Sequence, residues 1–120
     1  MTIRPFFAAL AVVALAGCAA DPAPNEQMRL TQQALEQANA VGAVADDSPE
    51  LKLAEDKFTQ AKADMADESY KDARMQAEEA ELDARLAEAR VLTRKSQEQL
   101  NVLNTRITRL RKQLQLGDAQ

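Results

Sequence analysis

Residues 69–116 read SYKDARMQAEEAELDARLAEARVLTRKSQEQLNVLNTRITRLRKQLQL, the pattern of one long helix with two apolar seams on its successive halves. In the first half Tyr70, Ala73, Ala77, Ala80, Ala84, Ala87 and Val91 step by three and four residues, a spacing that keeps side chains on one helical face. That seam is almost all alanine, so it suits helices of the same chain that approach closely. In the second half Leu100, Leu103, Ile107, Leu110 and Leu114 repeat the step with large side chains in a different phase. Leu100, Ile107 and Leu114 take position a of a heptad and Leu103 and Leu110 position d. The same phase runs back through Leu82, Leu86, Ala89, Thr93 and Ser96. Nothing else in so short a chain is long enough to cover the five large side chains, so this seam is expected to meet a partner.

Working back from Ser69, Leu51, Ala54, Phe58, Ala61 and Met65 form the stripe of a preceding helix. Its entry is Ser48 as N-cap with Pro49 at the first position, where the missing N–H would be unpaired anyway. The step from Met65 to Tyr70 is five residues, about 140° off the face. A tight turn is therefore expected at 66–68, with Ser69 and Asp72 at capping-box spacing; a single helix kinked there is the alternative. Before Asp46–Pro49, Met28 or Leu30, Ala34, Ala38, Val41 and Ala45 give a first amphipathic helix ending somewhere after Gly42. With 46% hydrophobic residues but 3% aromatic and no Trp, much of the apolar content is small Ala and the core is thin. The expected class is all-α: a helical hairpin or three-helix bundle with a long C-terminal helix ending in a coiled-coil-like arm.

The N-terminal residues need a separate reading. Arg4 precedes an unbroken apolar run from Phe6 to Ala16, long enough for a signal-peptide core and far short of the roughly 20 residues that cross a bilayer. Leu15, Ala16, Gly17 and Cys18 follow and resemble the lipobox of bacterial lipoproteins. That resemblance implies cleavage between Gly17 and Cys18, diacylglycerol on the Cys18 sulfur and an acyl chain on its amino group. Several acyl chains give durable membrane anchoring where one does not. Ala19 stands where an Asp would mark inner-membrane retention in lipoproteins of this kind, so the resemblance implies the outer membrane, periplasmic side. Pro22 and Pro24 make an extended tether. The expected division is 1–17 signal peptide, 18–25 lipidated tether, 26–92 helical bundle, 93–116 coiled-coil arm and 117–120 disordered tail.

Pro49, Glu50, Leu51, Ala54, Lys57, Phe58 and Ala61, followed by Tyr70, Ala73, Arg74, Ala77, Glu78, Ala80, Asp83, Ala84, Leu86 and Ala87, resemble the alanine-rich helical envelope lipoproteins of the domain-of-unknown-function 4398 family. The likeness covers Leu30 to Val91 and brings no catalytic residues. It implies company with, or fusion to, peptidoglycan-binding domains of the OmpA type. Ala61, Tyr70, Ala73, Ala77 and Ala80 also resemble the spacing within one tetratricopeptide repeat, but no second copy follows at a fixed period, and repeat folds need about three.

Chemistry by side chains is not expected, so no enzyme, no metal site and no cofactor. The chain has no His and one Cys, that Cys is assigned to lipid, and Ser48, Ser69 and Ser96 have no base or Gly-rich oxyanion loop near them in sequence. Glu78, Glu79, Glu81, Asp83 and Glu88 read as a solvated helix face interleaved with Arg74 and Arg85. Charge is uneven: 46–90 carries 14 acidic and 7 basic residues, whereas Arg94, Lys95, Arg106, Arg109, Arg111 and Lys112 stand against Glu98 alone in 94–117. In an envelope compartment nucleic acid is not an expected partner. The expected role is a lipid-anchored protein-interaction or scaffold module using the Leu100–Leu114 seam, with a homo-oligomer, as a parallel homodimer with its lipids at one end, or another helix as occupant. The alternative is a non-covalent peptidoglycan or anionic-glycan binder acting through Arg106, Arg109, Arg111 and Lys112.

Overall fold

The computed structural model describes residues 21–117 of the 120-residue chain. The expected signal segment, the Gly17–Cys18 junction and residues 118–120 lie outside them. Three α-helices and no strand are present among the described residues: α1 Asn25–Ala40, α2 Pro49–Ala66 and α3 Tyr70–Gly117. Gly117, assigned to a disordered tail by its sequence, is helical, and Asn25, assigned to the tether, is the first residue of α1.

Local chemistry sets the start of α2 and the end of α1. The Ser48 hydroxyl accepts from the Leu51 N–H at 3.3 Å and Pro49 opens α2, as expected. Helix α1 stops at Ala40, two residues before Gly42 instead of after it. Gly42 adopts a φ of +93°, its N–H donates to the Asn39 carbonyl, and the Ala43 N–H donates to the Ala38 carbonyl. These paired bonds are the Schellman closure, with Gly at the left-handed position where it carries no Cβ penalty. The buried Ala43 then folds back on Ala38.

The turn after α2 repeats the motif without glycine. The Glu68 N–H donates to the Met65 carbonyl, the Ser69 N–H to the Asp64 carbonyl at 2.8 Å, and Glu68 itself takes the left-handed conformation at φ 58°. This settles the 66–68 turn as a full reversal instead of a kink. Because an L-residue in this conformation costs about 1 kcal/mol relative to Gly, Glu68→Gly is expected to stabilise the chain by about 0.5–1 kcal/mol. A urea titration followed by circular dichroism checks this, and a lowered midpoint would mean that the Glu68 side chain matters more than its backbone.

Helices α2 and α3 form an antiparallel hairpin. Lys57 Nζ bridges Glu79 at 3.1 Å and Asp83 at 2.8 Å, and Arg90 pairs with Glu50 near the start of α2. Helix α1 lies parallel to α3. Pro22 meets Arg74, the Thr31 hydroxyl donates to the Ala77 carbonyl at 2.8 Å, and Val41 meets Lys95. Both helices pack on α3 and touch each other little. The shared core joins Ala34, Leu35, Ala38 and Ala43 to Leu51, Ala54, Phe58 and Ala61, with Ala77, Ala80, Ala84, Ala87 and Val91 of α3. The alanine seam is as expected from the sequence. The α1 stripe differs: Thr31 and Leu35 are buried along with Ala34 and Ala38, while Leu30 and Ala45 are half-buried.

Candidate functional site

Helix α3 has two unlike faces. Ala73, Ala77, Ala80, Ala84 and Ala87 are fully buried, because side chains this small let α1 and α2 approach α3 closely. Two residues on from Ala80 and Ala84, at about 200° around a 3.6-residue helix, Leu82 and Leu86 point the other way and are 67% and 44% exposed. The heptad phase continues along that outer face to Leu100, Leu103, Ile107, Leu110 and Leu114, which are 45 to 70% exposed. Every described side chain from 92 to 115 is exposed.

The junction between the two halves is made by a residue that the sequence pattern did not single out. Lys95 Nζ donates to the Val41 carbonyl at 2.8 Å, satisfying an orphan acceptor at the C-terminal end of α1 and complementing its dipole. It also stands 3.8 Å from where a Cβ on Gly42 would lie. No signal in sequence could have found it, since the bond spans 54 residues. Thr31 is missed for a different reason: it stands at helical spacing between Met28 and Leu35, but a hydroxyl does not count as apolar in such a stripe. Its hydroxyl lies within bonding distance of the Gln27 and Ala77 carbonyls, which lets a polar side chain sit fully buried.

Three carboxylates of α3, Glu79, Glu81 and Asp83, are occupied by structural partners. Glu81 accepts from Arg85 at 2.6 Å and from the Gln27 amide at 2.7 Å, and these two donors, Arg85 foremost, hold its carboxyl below the ordinary value. Asp83 and then Glu79 raise the Lys57 ammonium above its ordinary value. No group of three or more acidic, Cys or His side chains able to hold a metal occurs among the described residues, and none of their helices is long and apolar enough to cross a membrane. Arg106, Arg109, Arg111 and Lys112 are all exposed. At 100° per residue they are spread around the arm instead of gathered on one face.

Comparison with known proteins places these features. Residues 26–103 match the family model described as domain of unknown function DUF4398, a span that takes in the whole bundle and the root of the arm. A crystal structure of a DUF4398 family protein from Pseudomonas aeruginosa PAO1 is 63% identical, with a match covering 82% of this chain and 100% of that one and a TM-score of 0.75. Among curated proteins nothing matches.

Proposed function

The chain belongs to the DUF4398 family, and on that premise we propose that it is a non-catalytic protein-interaction module of the bacterial envelope. In this reading, lipid on Cys18 holds it to the periplasmic side of the outer membrane. The observation that supports it is the row Leu100, Leu103, Ile107, Leu110 and Leu114, exposed on a helix with no neighbour beyond Lys95 among the described residues. Full burial of such side chains stabilises by about 1.5–3 kcal/mol each, and contiguous exposed apolar rows of this kind mark interaction sites. The bundle then serves as a base. By gripping α3 from Ala73 to Lys95 it fixes the direction in which the arm leaves, so less ordering remains to be done when a partner binds.

The test uses the full chain in its own envelope with a membrane-permeable crosslinker. Wild type is expected in a crosslinked species that Ile107→Asp abolishes, with helicity by circular dichroism unchanged; equal crosslinking by both would overturn the reading. A fatty-acid probe is expected to label wild type and not Cys18→Ala, and equal labelling would remove the anchor. If the chain pellets with purified peptidoglycan, and loses this when Arg106, Arg109 and Arg111 become Gln but keeps it in Ile107→Asp, glycan binding replaces protein interaction as the function.

A further inference from the structure

We infer that the occupant of the exposed seam is a second copy of this chain laid antiparallel, each basic arm covering the back of the other copy's acidic bundle. This rests on the interaction reading above and goes beyond it by naming the partner, its direction and its register.

The first ground is the extent of the uncovered face. Helix α1 flanks one side of α3 through the Thr31 and Gln27 contacts, α2 flanks the other through Lys57 and Glu50, and neither covers the outer face. Leu82 and Leu86 therefore join the arm in one row ending at Leu114, about 48 Å long at 1.5 Å per residue. A partner confined to the arm would leave the back of the bundle bare. A second α3 running the other way matches the whole row.

The second ground is layer volume. In an antiparallel pair the a positions of one helix face the d positions of the other. Centring the register on Glu98 sets Leu82 against Leu114 of the second copy, Leu86 against Leu110, Ala89 against Ile107, Thr93 against Leu103 and Ser96 against Leu100. Each small or polar side chain then faces a large apolar one, the alternation that fills an interface evenly. A parallel pair would instead face Ala89 with Ala89 and Ser96 with Ser96, a narrow waist between leucine layers that hold the helices apart.

Charge supplies the direction independently. The arm from 94 to 117 carries six cationic residues and Glu98, and the segment from 46 to 90 carries 14 acidic against 7 basic residues. Antiparallel packing lays the cationic arm on the acidic bundle and brings Arg111 beside Asp83 of the second copy. Parallel packing would lay arm on arm and set Arg106 against Arg111 and Arg85 against Arg90 at the flanking g and e positions, where like charges oppose pairing. With Pro22 at the level of Arg74, the antiparallel pair carries its two N-terminal ends about 70 Å apart. Such a pair, anchored at both, lies along a membrane surface instead of standing on it.

The experiment places the photocrosslinking residue benzoylphenylalanine at Leu114 of the full chain, in an equal mixture of ¹⁴N- and ¹⁵N-labelled copies, and maps the products by mass spectrometry. Mixed-isotope links from 114 into 79–86, and from a probe at Leu82 into 110–117, are the expected result. Mixed links from 114 to 110–117 would overturn the antiparallel arrangement and leave the interaction module standing. Links to a different protein alone would overturn the second copy while leaving the module. Links within single-isotope chains alone would overturn both. Arg106, Arg109 and Arg111, which bond to nothing in the bundle, provide a second readout: changing all three to Glu is expected to weaken self-association at least about tenfold, and raising salt to about 0.5 M is expected to act in the same direction. Association insensitive to both would remove the charge argument and with it the inference.

Discussion

Phe58→Ala is expected to lower the unfolding free energy by about 3–5 kcal/mol, the range for removing a buried aromatic side chain. Phe58 is the only aromatic residue in the buried core of the described residues, 5% exposed, and it supplies volume that the surrounding alanines cannot. Lys62 Nζ lies 4.3 Å from its ring centroid, so a minor cation–π contribution goes with it. A domain of this size has roughly 5–15 kcal/mol in all, so the loss takes at least about a fifth of the total. Urea titration by circular dichroism reads this directly. Leu100→Ala, on the exposed arm, is the control: at concentrations where the chain is monomeric it should shift the midpoint by less than about 0.5 kcal/mol. A cost below 1 kcal/mol at Phe58 would mean that the three helices do not share the core described.

Ala80→Leu is the converse experiment, adding volume where none is free. Leu has nearly the helix propensity of Ala, so α3 itself loses little. Ala80 is fully buried in the core shared by α1, α2 and α3, and a larger side chain must push its neighbours off α3, a cost of about 1–3 kcal/mol or more. The break should be selective. Amide exchange is expected to rise throughout α1 and α2, whereas Ala89→Leu, made on the exposed face of the same helix, should leave exchange in α1 and α2 unchanged at concentrations where the chain is monomeric. An Ala80→Leu chain as protected as wild type would show that the alanine seam is not a close-packed one.

Much of this architecture is readable because it is local. Six of the seven residues in the first α3 seam, Ala73 through Val91, are buried in the phase that their spacing implies, and Ser48 with Pro49 starts α2 as their chemistry requires. The exposed seam was equally legible, since an apolar row with no neighbour to cover it is a question of phase and length. What the spacing of Met28, Ala34 and Ala38 left out was Thr31, because a hydroxyl does not count as apolar until a carbonyl on another helix is known to lie beside it.

Residue order along the chain therefore determines three helices, the Ser48 cap of α2 and the two phases of α3, all consequences of backbone bonds and side-chain spacing within about four residues. Tertiary structure alone decides the rest. Glu68 takes the left-handed turn without the glycine that would have announced it, because packing of α2 on α3 over-determines the reversal. Lys95 closes the end of α1 only because α1 runs parallel to α3, a direction set by contacts more than 45 residues apart. Placing α1 and α2 on the two flanks of the alanine seam of α3 is what leaves Leu82 and Leu86 bare and joins them to the arm. Helical periodicity states which residues share a face, but not which face a distant helix will cover.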